Sequence, residues 1–229
     1  MVQIQPNAPS EVIYPDSDGE PMSDNTKQFR WIVTVKENLD WLFADQPDVF
    51  VAGDFLWYPI QGDNKTRVAP DAMVVFARPK GDRGSYKQWE EGNIPPQVVF
   101  EILSPENTRS EMNRNLLFYN RFGVEEYYVY DPDSNNLSGW LRREGFLDVI
   151  EPIEQWVSPR LKIRFEPAET LRIYRPDNQP FLTYTEIAQR AEEAELRAQQ
   201  AESRAEAAES RATKLAEQLR ALGIDPQLE

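Results

Sequence analysis

Glu101 lies in the run Val98-Val99-Phe100-Glu101-Ile102-Leu103, which is otherwise apolar. A short apolar run rich in β-branched residues reads as a strand buried on both faces. An ionised carboxylate there costs several kcal/mol or more unless a cation or hydrogen bonds offset it. A second acid, Asp71, follows Pro70 and opens the similar run Ala72-Met73-Val74-Val75-Phe76. Either acid alone is equally well explained by a hydrogen bond or a cap. Two strand-borne carboxylates aimed into one core point instead to a divalent metal site. Such a pair can share one Mg²⁺ (or Mn²⁺), with a backbone carbonyl such as that of Ile102 as third ligand. Mg²⁺ takes few protein oxygens and keeps several waters, one of which can become a nucleophile. A cation nearby would then offset charge on the reacting phosphorus.

Other chemistries are removed by composition. The 229 residues contain no cysteine and no histidine. That excludes disulfides, thiolate or imidazole metal sites, and every His-based triad. Net charge is −14, with ten acids and six bases over residues 186–229, so residues 1–185 carry −10. A polyanion of this kind disfavours tight nonspecific nucleic-acid binding, although a local basic patch or a metal-bridged contact escapes that argument. No signal peptide or membrane-spanning run is evident, and a soluble cytoplasmic protein is expected.

The elements that must position the acids follow from patterning. Residues 1–25 read as a loosely ordered arm. Phe29, Ile32, Val35, Leu39, Leu42 and Phe43 keep helical spacing between Thr26 and Ala44. Val49–Tyr58 and Val68–Phe76 read as strands joined by a turn at Gly62-Asp63-Asn64-Lys65, and a loop over Lys80–Pro96 surrounds a short Tyr86–Glu91 element. After the Glu101 strand comes a helix from about Ser110 to Phe122, stopped by Gly123, then a strand from Glu126 to Tyr130. Short strands follow at Leu137–Arg142, Phe146–Ile150, Leu161–Phe165 and Leu171–Tyr174. The order implies a mixed α/β sheet domain spanning 26–185.

From Arg190 the chain repeats every seven residues. Ala191, Ala198, Ala205, Ala212 and Leu219 fall at position a, and Ile187, Ala194, Ala201, Ala208, Leu215 and Leu222 at position d. Sustained heptads with charged flanks indicate a coiled-coil helix over 186–222, followed by a tail at 223–229. The alternative is a solitary charged helix. Self-association as a homo-oligomer is the expectation.

Three segments together carry a family resemblance. Ala69-Pro70-Asp71-Ala72-Met73-Val74-Val75, then Val98–Pro105, then Tyr119 with Gly123–Pro132 resemble the Uma-type putative restriction endonuclease family of the PD-(D/E)XK nuclease superfamily. The likeness runs from about Thr26 to Thr183. It implies a restriction-endonuclease-like mixed sheet flanked by helices, and Mg-dependent hydrolysis of DNA phosphodiester bonds, with Asp71 and Glu101 at the metal-binding positions. The usual lysine lies two residues after the second acid, where this chain has Leu103. Similar family members carry it on the next helix, four residues before the tyrosine matching Tyr119. That position is Asn115, which helical spacing turns toward the acids.

Asn115 carries no charge, and losing a cation at such a site can cost orders of magnitude in rate. Lys87 and Arg109 could reach in, whereas Arg114 points about 100° round the helix. The same residues therefore also fit a catalytically degraded nuclease fold acting as an oligomeric interaction module. A purely acidic scaffold is a third reading. Glu37 on the first helix could add a carboxylate or be solvated surface. Ser104 before Pro105 reads as a turn residue more than a nucleophile, and Asp131-Pro132 as a strand end. The six tryptophans read as scattered packing residues.

Overall fold

The computed structural model describes residues 12–17, 19 and 21–223. Most of the expected N-terminal arm, and the tail beyond Gly223, lie outside these. In chain order the elements are α1 (Thr26–Leu42), β1 (Val49–Ala52), β2 (Trp57–Tyr58), β3 (Ala72–Phe76), β4 (Tyr86–Lys87), β5 (Val98–Ile102) and α2 (Arg109–Phe122). They continue with β6 (Glu126–Asp131), β7 (Asn136–Arg143), β8 (Phe146–Val149), β9 (Arg164–Glu166), β10 (Arg172–Tyr174) and α3 (Tyr184–Ala221). The chain divides into two compact units, residues 1–181 and 182–229.

A six-stranded sheet in the order β1-β3-β5-β6-β7-β8 forms the centre of the first unit. Only β5 and β6 run parallel, because α2 connects them as a crossover; the other neighbours are antiparallel. Alternation along the strands splits the core in two. Ala72, Val74, Val98, Phe100, Ile102, Tyr128 and Tyr130 face the side covered by Ile32, Val35 and Leu39 of α1. Met73, Val75, Val99, Tyr127 and Val129 face Tyr119 of α2 and the buried Trp57. Glu101, next after Phe100, therefore projects to the α2 side.

The expected Val49–Tyr58 strand is broken. Gly53 and Asp54, the latter at φ 46°, turn the chain after β1, and Trp57-Tyr58 pairs with β4 in a separate two-stranded ribbon. Val68 likewise leaves β3 and bridges back to Trp57. A left-handed residue cannot continue an extended ladder, so the apolar run contains two strands. Similarly, the expected Leu161–Phe165 strand is confined to Arg164–Glu166, since Lys162 sits at φ 58°.

Helix ends follow their sequence signals. Asn25 caps α1 by accepting from the Lys27 and Gln28 amides at 3.0 and 2.9 Å. Thr108 and Glu111 form a capping box on α2, which ends at the left-handed Gly123. α3 is a single 38-residue helix opened by a second capping box, Thr183 with Glu186. Its 38 residues imply a rod of about 57 Å.

Trp57 is fully buried and lies parallel to Tyr119, with ring centroids 6.4 Å apart and planes 5° from parallel. It also packs on Phe118 and Phe122. Trp57→Ala is expected to cost about 3–5 kcal/mol in urea unfolding, because the cavity it leaves undercuts α2 at Tyr119. A loss below ~1 kcal/mol would mean that α2 is held independently of this ring.

Candidate metal centre at the Asp71–Glu101 pair

Strand register brings the two acids together. Ala72 pairs with Phe100 in the antiparallel β3–β5 ladder, so the next residues out, Asp71 and Glu101, sit opposite each other with side chains on one face. Asp71 leaves the ladder here, and its carboxylate accepts the Ile102 N–H at 2.6 Å. One strand thus ends by replacing its own backbone acceptor with a side chain. Glu101 is half-buried at the end of β5.

Helix α2 supplies the next layer. Glu101 Oε1 accepts from the Tyr119 hydroxyl and from Asn115 Nδ2, the latter at 3.3 Å. Asn115 and Tyr119, four residues apart, therefore do face the acid from one helical stripe. Burial holds the Tyr119 hydroxyl protonated, so it acts as a donor.

The first helix contributes Gln28, which the sequence reading missed. Its side-chain amide bridges two backbone groups, donating to the Ile102 carbonyl and accepting from the Asp24 N–H, each at 2.8 Å. Gln28 is buried while Phe29 beside it is 46% exposed. The signal was present: Gln28, Ile32, Val35 and Leu39 are spaced as one stripe, with a polar residue at its end. Glu37 is instead exposed and paired with Lys36 at 2.9 Å.

A cavity of about 240 Å³ opens over the pair. Five acids line it, Asp24, Asp54, Asp71, Glu101 and Glu111, together with Asn115, and among the described residues no Lys or Arg does so. Lys87 lies against Glu90 at 3.7 Å, and Arg109 and Arg114 are exposed on α2 away from the lining. Among the described residues, then, no lysine or arginine lines the cavity beside the uncharged Asn115. Ser104 is a turn residue: its hydroxyl pairs with Asp24, and its N–H donates to Asn107 at 2.7 Å. Asp131 closes β6 by accepting from the Asp133 and Ser134 amides. The tryptophans pack separately, Trp57 in the core and Trp41 under Arg175, and build no platform.

Burial holds both carboxyls in the protonated direction. Burial raises Asp71 most, followed by the charge of Glu101. Burial also pushes Glu101 up to about 7, against the downward pull of its hydrogen bonds from Tyr119 and Asn115. A divalent ion would neutralise these buried carboxylates, and the donors at hand suit a hard cation. Two adjacent carboxylates and the Ile102 carbonyl, whose second lone pair is not consumed by Gln28, are hard oxygen donors. The cavity leaves room for several waters. Among the described residues no three His, Cys, Asp or Glu side chains form a cluster that could hold a metal ion, so an ion here would rest on the two carboxylates and the Ile102 carbonyl.

The raised Glu101 has a stability consequence. The unfolded chain ionises near 4.5 and the folded chain near 7, so the penalty accumulates between those values and is complete above them. In chelator, the melting temperature is expected to fall by about 5 °C as pH rises from roughly 5 to 8. Glu101→Gln should flatten that slope; an equal slope in the variant would assign it to other groups.

The profile of the family described as "Uma2: Putative restriction endonuclease" matches residues 12–160. Among solved structures, the chain is similar to the crystal structure of a putative nuclease belonging to DUF820 from Anabaena variabilis. Identity is 16%, coverage 60% of this chain and 75% of that one, and the TM-score 0.46. No curated protein matches. The matched segment spans well over half of the sequence and contains Asp71, Glu101, Ile102 and Asn115, and the chain belongs to the Uma2 family of putative restriction endonucleases.

Proposed function

We propose that this protein is a metal-dependent endonuclease that hydrolyses DNA phosphodiester bonds at the Asp71–Glu101 pair, with Mg²⁺ or Mn²⁺ held by those carboxylates and the Ile102 carbonyl. The observation that carries the reading is the β3–β5 register. It sets two acids side by side at a cavity of about 240 Å³ that, among the described residues, no lysine or arginine lines. When bound, the ion would supply an activated water and neutralise charge on the phosphoryl oxygens.

The chain's own residues do the positioning. Tyr119 and Asn115 fix Glu101 from one side, and the Ile102 N–H fixes Asp71. Gln28 orients the Ile102 carbonyl. The remaining amide hydrogen of Asn115 can hold a water or a phosphate oxygen, without the charge a lysine would bring. Cleavage is therefore slow compared with a lysine-bearing site. A cytoplasmic setting accompanies a DNA substrate, and among the described residues no helix is long and apolar enough to cross a membrane.

The second reading, a binding module built on a degraded nuclease site, is favoured by one observation: the cavity lining carries five acids and no base. Supercoiled-plasmid cleavage separates the two. With Mg²⁺ or Mn²⁺ the wild type should nick, and Asp71→Ala and Glu101→Ala should not. Asn115→Lys should raise the rate on the order of tenfold to a hundredfold. A folded wild type that never cuts, with Asn115→Lys equally inert, moves the assignment to the binding module.

In either reading α3 is the assembly element, pairing with a second copy along its alanine and leucine heptad positions. Ile187, Leu215 and Leu222 on that seam are 40%, 57% and 75% exposed. Truncation after Thr185 is expected to lower the mass seen by light scattering to that of a monomer, and an unchanged mass would remove the coiled-coil assignment.

A further inference from the structure

A second cavity, of about 440 Å³, runs along the free edge of the main sheet. Its floor is the outer side of β1 from Phe50 to Gly53, and its walls carry Lys36 and Asp40 of α1 opposite Lys80 and Arg83 of the following loop. Its charge contrasts with that of the acidic cavity. Three cations face two acids here, on a unit that is otherwise strongly negative. Lys36 pairs with Glu37 at 2.9 Å and also shares Asp40 with Lys80, at 3.2 and 4.0 Å. Arg83 is fixed by Glu91 at 2.6 Å, and its guanidinium lies 4.1 Å from the Phe50 ring centre.

The two cavities adjoin. Asp54 lines the acidic one, while its neighbours Gly53 and Phe55 line the basic one. Gly53 is the wall between them. A Cβ there would stand 3.1 Å from both the Lys36 side chain and the Asp71 carbonyl, so any larger residue would press the lysine away from the acid-bearing strand end.

We propose that this β1-edge groove binds the phosphate backbone of the DNA strand beside the scissile bond, through Lys36, Lys80 and Arg83. This rests on the endonuclease reading and names the surface that makes it workable. Duplex DNA is a dense line of negative charge, and affinity comes chiefly from cations that neutralise phosphates. The five-acid cavity repels that backbone and provides no cation of its own. A flanking groove that exchanges Asp40 for phosphate oxygens supplies what is missing. The Arg83 guanidinium, stacked on Phe50 and held by Glu91 and by the Gly81 and Pro79 carbonyls, is pre-oriented and keeps one N–H for a phosphate at low entropic cost.

The test is fluorescence-anisotropy binding of a short labelled DNA duplex to the full chain, with Ca²⁺ in place of Mg²⁺ and salt varied. Lys36→Gln combined with Lys80→Gln should weaken binding about tenfold and lower the slope of log affinity against log salt by about 2. Asp40→Asn, which removes the one anion that both lysines share, should tighten binding, an effect that misfolding cannot produce. Wild-type binding with an unchanged slope in the double lysine variant overturns the groove alone and leaves β1 as an edge for strand addition by a protein. Absence of duplex binding by the wild type overturns the endonuclease reading on which the groove depends.

Discussion

Two carboxyls placed opposite each other at the end of a buried ladder repel, and much of the first unit is arranged so that they stay there. The β3–β5 register fixes their separation, and the Ile102 N–H holds one while Tyr119 and Asn115 hold the other. Tyr119 is in turn clamped between Trp57 and Tyr127. The ribbon that carries Trp57 exists because the chain turns at Gly53-Asp54 instead of continuing β1. Each step trades local regularity for the placement of one acid. Such strain at a pair of titratable groups is expected at functional sites.

The charge distribution has a consistent logic. The cavity concentrates negative charge where a divalent ion would be held, and the cations are displaced to its flank along the β1 edge. In a lysine-bearing relative one positive group would sit among the acids. Here Asn115 keeps the hydrogen bond to Glu101 and gives up the charge. In the proposed reaction, that exchange would keep Glu101 oriented while weakening transition-state electrostatics.

Much of this was legible in the chain. The acids announce themselves because a carboxylate inside Val98–Leu103 has no innocuous place, and the helical phase of Asn115 and Tyr119 puts them on one stripe. The order of helix, strands and crossover helix is likewise written in the apolar periods. What escaped depends on contacts between distant segments. Gln28 matters through a backbone carbonyl 74 residues away. The break at Asp54 is invisible to an apolar run that continues through it, and the basic groove is assembled from α1 and a loop some forty residues later. Pattern reading finds faces; it does not find which faces meet.

The central claim is that Asp71 and Glu101 form one divalent-metal site. The most direct test is an anomalous difference map from crystals soaked in Mn²⁺. The account predicts a peak between the two carboxylates, within bonding distance of both and near the Ile102 carbonyl, that vanishes in Glu101→Gln. A map with no peak there, or with manganese bound only elsewhere, would contradict it.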